Sequence, residues 1–264
     1  MAILKFDNVS LTYFSDNGET EALKDINFEI NEGEFISIVG PSGCGKTTIL
    51  SLISGLIKPT SGAIEIKENY TCGYMFQKDH LFEWRTILNN VYLGLEITHT
   101  KTKENMEYVD TLLKKYGLWE FRNKYPNQLS GGMRQRVALI RTMALKPKIM
   151  LLDEAFSALD YQTRLNVCDD VNKILKAENI TSILVTHDIT EAITMSDRII
   201  VLTKRPASVK TIHDIDLSQY GSPLQRREHQ EISSYFNQLW KELQQWKNFQ
   251  TIQRAIFNTK GKSY

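Results

Sequence analysis

Two glycine turns in this chain are built to attract anions. The first, Gly40-Pro41-Ser42-Gly43-Cys44-Gly45-Lys46-Thr47-Thr48, fits G-x-x-x-x-G-K-[ST]. Its glycines let the backbone curl so that successive N–H groups converge on phosphate oxygens. Lys46 adds positive charge near the outer phosphates, and the Thr47 hydroxyl is a magnesium ligand. Cys44 reads as a small loop residue, with a redox role as the alternative. The second turn lies in Gln128-Leu129-Ser130-Gly131-Gly132-Met133-Arg134-Gln135-Arg136, where a serine and two glycines open a helix. Its N–H groups and helix N-terminus also suit an anion.

Acids complete the chemistry. In Ile149-Met150-Leu151-Leu152-Asp153-Glu154 an apolar strand delivers Asp153 to its carboxyl end, where open parallel sheets bind ligands. Asp153 is placed to hold magnesium and Glu154 to polarise an attacking water. Alone such a strand says little, since many buried strands end in acids; with the glycine loop it points to hydrolysis at a β–γ phosphate bond. No segment stands out as the acceptor site that a transferase would need.

The elements around these residues must position them. Residues 4–14 and 22–30 read as strands, separated by a polar turn at Ser15–Gly18. Phe35–Val39 is a short apolar run feeding the glycine loop, and Lys46–Leu56 reads as the helix that follows. Strands are predicted near Ala63–Lys67 and Cys72–Phe76, and then at Ile149–Leu152, Ser182–Thr186 and Arg198–Thr203. Between residues 86 and 125 the pattern is helical, with Val109, Leu112, Leu113 and Tyr116 on one face. Strand and helix in alternation predict a parallel sheet covered on both faces. From Pro223 the tail is again helical, carrying Ile232, Tyr235, Phe236, Leu239, Trp240, Leu243 and Trp246, and is expected to pack on its own domain.

Composition excludes several classes. The 264 residues carry a net charge of +1, so no nucleic-acid partner is expected. The three cysteines, Cys44, Cys72 and Cys168, form no C-x-x-C pair, and the five histidines show no i, i+4 pairing. A disulfide framework and a zinc site are therefore not expected. No apolar run reaches the roughly 18–20 residues that span a bilayer. The first residues alternate polar and apolar rather than forming a signal peptide.

The glycine loop, QLSGGMRQR, LLDEAFSALD and Thr186-His187-Asp188 occur in that order. Together they resemble the ATP-binding cassette family, specifically the nucleotide-binding subunit of a transporter, over residues 1 to about 205. The resemblance implies an α/β fold: a P-loop NTPase parallel-sheet core, an N-terminal antiparallel β subdomain and an inserted α-helical subdomain at about 86–145, followed by a helical extension over 206–264. It also implies roles. Tyr13 matches the aromatic that stacks on adenine, although an ordinary strand aromatic is the alternative. Gln77 matches the glutamine touching magnesium and the attacking water. Ser130, Gly131 and Gly132 match the signature that binds ATP, and Gly40–Thr48 the phosphate cradle. His187 matches the switch histidine at the γ-phosphate. Asp160 matches the loop along the dimer seam, and also suits a helix cap.

In that family two subunits sandwich two ATPs head to tail, so each signature completes the other subunit's site. The implied partners are a second nucleotide-binding subunit, integral membrane permease subunits and, indirectly, an extracytoplasmic solute-binding protein, with this chain at the cytoplasmic face. LFEWRTILNNVYLGLE, Met133 and Lys204-Arg205-Pro206-Ala207 are similar to the branch serving nitrate, sulfonate, taurine and bicarbonate importers. Glu83 departs from that branch's usual proline, and Ala207 from its glycine. An importer of thiamine-precursor-like or other small organic solutes, and a soluble non-transport relative, are the alternatives. The permease is expected to dock near His80-Leu81-Phe82-Glu83-Trp84-Arg85.

Overall fold

The computed structural model describes residues 2–16 and 18–244. Two sheets lie against each other. The smaller is antiparallel, ordered β2–β1–β4, from β1 (Ala2–Ser15), β2 (Gly18–Asn31) and β4 (Ser61–Ile66). The larger is ordered β5–β6–β7–β3–β8–β9, from β3 (Phe35–Val39), β5 (Cys72–Met75), β6 (Ile149–Asp153), β7 (Thr181–Val185), β8 (Arg198–Leu202) and β9 (Val209–Asp214). Its first five strands are parallel, and β9 joins β8 antiparallel.

Side-chain alternation along the central strands assigns residues to two cores. Ile36 and Ile38 of β3 and Ile149 and Leu151 of β6 join Leu4 and Phe6 of β1 in one. Phe35, Met150 and Leu152 face the other, with the helices. Burial on both faces explains why these strands read as continuous apolar runs. The helices are α1 (Lys46–Ile53), α2 (Ile87–Ile97), α3 (Lys103–Lys115), α4 (Gly131–Met143), α5 (Tyr161–Ala177), α6 (Ile189–Met195) and α7 (Pro223–Arg226). Residues 231–244 form α8. Helices α2, α3 and α4 lie between β5 and β6 in the chain. The caps are local: Thr86, Thr102, Ser130 and Asp160 each accept a backbone N–H in the first turn of the helix they open.

Beyond residue 205 the structure departs from the expected helical extension. The main sheet continues into β9, so a boundary at 205 would cut the sheet. The physical reason is that Val209-Lys210-Thr211-Ile212-His213-Asp214 is an edge strand with polar side chains, which lacks an apolar run. After it, α8 packs Ile232 and Leu239 against Val39, Ile193 and Val201, with Tyr235, Phe236 and Leu243 at the margin. Trp246 lies outside the described residues.

Candidate functional site

The phosphate loop joins β3 to α1. Gly43 and Gly45 have φ of 72° and 122°, the left-handed region that only glycine enters cheaply. A Cβ on Gly45 would also lie 2.8 Å from Leu23 Cδ2, so β2 packs directly beneath the loop. Lys46 is 8% exposed, and its ammonium donates to the carbonyls of Gly40 (2.9 Å) and Pro41 (3.1 Å). Among the described residues no carboxylate lies within 4.0 Å of it. A buried cation hydrogen-bonded to carbonyls favours an anion beside it. Cys44 is buried, and burial pushes its thiol pKa up, which makes it an inert packing group.

At the carboxyl end of β6, Asp153 receives two hydroxyls. Thr47 Oγ1 donates to Oδ1 at 3.2 Å and the Tyr74 hydroxyl to Oδ2 at 3.0 Å. Burial raises the Asp153 carboxyl above its ordinary range, against the pull of the Tyr74 and Thr47 hydrogen bonds. Oxygen donors alone, one of them anionic, form the set that a hard divalent cation takes, so the residues present fit one.

Glu154 follows in a left-handed conformation, φ 47°, fixed by its N–H donating to Val185 O at 2.9 Å. A non-glycine residue held there is strained, and such strain collects at functional positions. His187 Nδ1 stands 3.5 Å from Glu154 Oε2. Gln77 Nε2 donates to Ser157 Oγ (2.9 Å), which donates to the Glu154 carbonyl (2.9 Å), so three segments meet around Glu154. The cleft between them, about 480 Å³, is lined by Ser42, Gly43, Gly45, Lys46, Thr47, Thr48, Glu154, His187 and Arg205. Tyr13 is 44% exposed at its margin, its hydroxyl 3.3 Å from Thr48 Oγ1. A larger cavity of about 550 Å³ lies between β5 and helices α2 and α4, but its lining has no carboxylate and none of these groups except Tyr74.

The second glycine turn stands apart. Ser130 caps α4, its Oγ accepting from Met133 N at 3.4 Å, and with Gly131 it is exposed. Gly132 is buried; a Cβ there would meet Thr163 Cγ2 at 2.9 Å and Val167 Cγ2 at 3.1 Å of α5. None of the three lines the phosphate cleft. Asp160 caps α5 by accepting from Thr163 N at 3.0 Å, and it too lies outside that cleft.

The sequence pattern of the ABC transporter family matches residues 23–157. YtlC of Bacillus subtilis, an uncharacterized ABC transporter ATP-binding protein, is 45% identical over 92% of this chain and 96% of its own length. This chain belongs to the ABC transporter family. Another member, the taurine import ATP-binding protein TauB of Jannaschia sp., is 37% identical over 86% of this chain and 88% of its own. A dimeric, post-hydrolysis ABC cassette, MJ0796 bound to ADP and phosphate, superposes with a TM-score of 0.68 and 36% identity, covering 80% of this chain and 98% of that one. As a member of the ABC transporter family the chain is an ATP-binding ATPase with the P-loop NTPase fold.

Three contributors are given no role by the motifs. Tyr74 reaches Asp153 from the neighbouring strand, Ser157 links Gln77 to Glu154, and Arg205 reaches the phosphate loop from the turn after β8. Tyr74 alone had a signal, its place in the strand predicted near Cys72–Phe76 just before Gln77; the structure then pairs that strand with β6. The other two depend on turns whose paths no spacing reveals.

Proposed function

We propose that this chain is the ATP-hydrolysing subunit of a membrane importer of a small solute of the nitrate, sulfonate and taurine class, working as a head-to-tail dimer at the cytoplasmic face. The observation that carries the reading is the separation within one chain of two anion-binding turns. The phosphate loop, through Ser42, Gly43 and Gly45–Thr48, shares a cleft with Glu154 and His187, while Ser130 and Gly131 are exposed outside it. A second copy, facing the first, brings its Ser130, Gly131 and Gly132 to the first copy's nucleotide. Asp160 then lies along the seam.

Within one subunit, the loop N–H groups and Lys46 hold the phosphates, and the Tyr13 ring stacks on the adenine. Thr47, Asp153 and Gln77 would hold magnesium, which when bound would neutralise charge on the outer phosphates. Glu154 takes a proton from the attacking water, and His187, next to it, contacts the γ-phosphate. Closure by two ATPs and release after hydrolysis make a two-state device able to move a partner.

That partner is a permease. Among the described residues no helix is long and apolar enough to cross a membrane. Seven residues after Gln77, Trp84 is 74% exposed and its ring sits 4.7 Å from that of Phe82, an apolar pair on the expected docking surface. Taurine import by a relative supports the solute class, and an extracytoplasmic solute-binding protein completes the system.

The test is phosphate release from Mg-ATP by the purified chain, with gel filtration of Glu154→Gln. The variant is expected to bind ATP, hydrolyse it poorly and elute as an ATP-dependent dimer. A monomer with wild-type turnover would remove Glu154 from the reaction.

A further inference from the structure

The turn between β8 and β9 is given no catalytic or nucleotide-binding role by the motifs, yet it places Arg205 on the phosphate loop. The guanidinium donates from Nε (3.2 Å) and Nη2 (2.7 Å) to the carbonyl oxygen of Gly43. Burial does not hold this side chain, which is exposed. A long exposed side chain gives up rotamer freedom to make such a contact, so the contact itself must hold it.

The turn beneath Arg205 is braced. Thr203 N donates to Ser208 O at 2.9 Å and Ser208 N to Thr203 Oγ1 at 2.8 Å, which closes the neck. Ala207 is fully buried and exchanges two backbone hydrogen bonds with β2, to Ala22 O at 2.9 Å and from Lys24 N at 2.8 Å. Between those two residues, Leu23 is the side chain that packs against Gly45. The loop is thus gripped from outside by one unit at two points, Leu23 at Gly45 and Arg205 at Gly43.

The grip has an electrostatic consequence. The Gly43 carbonyl shares its peptide unit with the Cys44 N–H, which donates to the Pro41 carbonyl at 3.2 Å and closes the turn of the loop. A cation on the carbonyl polarises that unit and strengthens the Cys44 N–H bond that holds the loop in its curled form. The fork of two N–H groups also fixes the plane of the peptide, which a point charge does not. Arg205 moreover lines the same cleft as Lys46, Thr47 and His187, so its charge adds to the field there.

We propose that Arg205 is a positioning residue for the nucleotide polyphosphate: by holding Gly43 it presets the crest of the loop and tightens the binding of ATP and ADP. The proposal rests on the ATPase reading above and adds a residue to it.

The test compares full-length wild type, Arg205→Met, Arg205→Lys and Lys46→Ala in titrations with a fluorescent ATP analogue and in steady-state hydrolysis of Mg-ATP. Arg205→Met is expected to weaken nucleotide binding about tenfold, the loss of a charge-assisted hydrogen-bond pair. The ATP KM should rise in parallel while turnover at saturating ATP stays within about twofold, because the contact is made equally in ground and transition states. Arg205→Lys, which keeps the charge and loses the fork, should fall between, and thermal melting of both variants should match wild type. Wild-type affinity in Arg205→Met, with Lys46→Ala weakened, overturns the proposal and leaves the site reading standing. So does a fall in turnover with unchanged affinity, or Arg205→Lys as weak as Arg205→Met. If wild type itself binds no ATP, the site reading fails first.

Discussion

Arg134 of the QLSGGMRQR helix clasps Asp79, donating from Nε to Oδ2 at 2.8 Å and from Nη2 to Oδ1 at 3.2 Å. Asp79 follows Gln77 by two residues, so the signature helix is tied to the segment that approaches Glu154. Glu83 adds a second carboxylate, 3.0 Å from Arg134 Nη2. The residue that departs from its branch's proline therefore has an electrostatic role here. Both members of the main pair are largely shielded from solvent, with side chains 27% and 17% exposed. Arg134→Met should cost about 1–2 kcal/mol of stability, as expected for a partly buried bidentate pair. It should also reduce turnover more than ATP binding. Urea unfolding and phosphate release check both; an unchanged midpoint with unchanged turnover would refute the clasp.

Ser130 is exposed, the only described bond of its side chain is a long N-cap contact, and it does not line this subunit's phosphate cleft, so replacing it leaves that cleft intact. Ser130→Arg is expected to bind ATP like wild type as an isolated chain and to lose hydrolysis by roughly a hundredfold or more, the scale of a removed transition-state donor. Surviving turnover would show that the signature does not face a nucleotide.

Gly132 fails differently. Its missing Cβ makes room for Thr163 and Val167, so the signature glycine is also a packing residue against α5. Gly132→Val should destabilise the fold by about 1–3 kcal/mol, the usual cost of overpacking. A wild-type denaturation midpoint for this variant would mean that α4 and α5 separate at no cost.

A pH dependence is expected where α8 meets the sheet edge. Glu242 accepts from Thr211 Oγ1 at 2.6 Å and pairs with His213 Nε2 at 3.1 Å, both on β9. Burial pushes its carboxyl up, but the bonds from Thr211 and His213 and the nearby Lys210 outweigh this and hold it below the usual range. A depressed folded pKa stabilises above the unfolded value of about 4.3 and ceases to do so as pH falls through the folded value. Glu242→Gln should therefore melt below wild type at neutral pH, and the gap should close in acid below that value. A gap independent of pH would mean that Glu242 acts by packing alone.

Much of this was legible in the residues because burial on both faces leaves a mark. Phe35–Val39, Ile149–Leu152 and Ser182–Thr186 read as strands since they are mostly apolar, and the buried hydroxyls among them are small and hydrogen-bonded, as Ser37 is to Ser196 and Ser182 to the Ile180 carbonyl. The glycine loop was legible for the complementary reason: its φ values and its approach to Leu23 admit no side chain. Strand β9 was not, because an edge strand with one neighbour carries Lys210, His213 and Asp214 without penalty. Nor were the clasps made by Arg134 and Arg205. Each joins segments through side chains long enough to cross a gap, and sequence spacing says nothing about which gap lies in reach.

The distance between the two glycine turns has a consequence in heredity. On the head-to-tail reading, an allele changed at Lys46 and one changed at Ser130 damage opposite halves of each site. In a mixed pair, one site combines the intact Lys46 of one subunit with the intact Ser130 of the other, while both lesions fall together in the second. Two inactive alleles of one gene could then complement each other, whereas two alleles changed in the same turn could not.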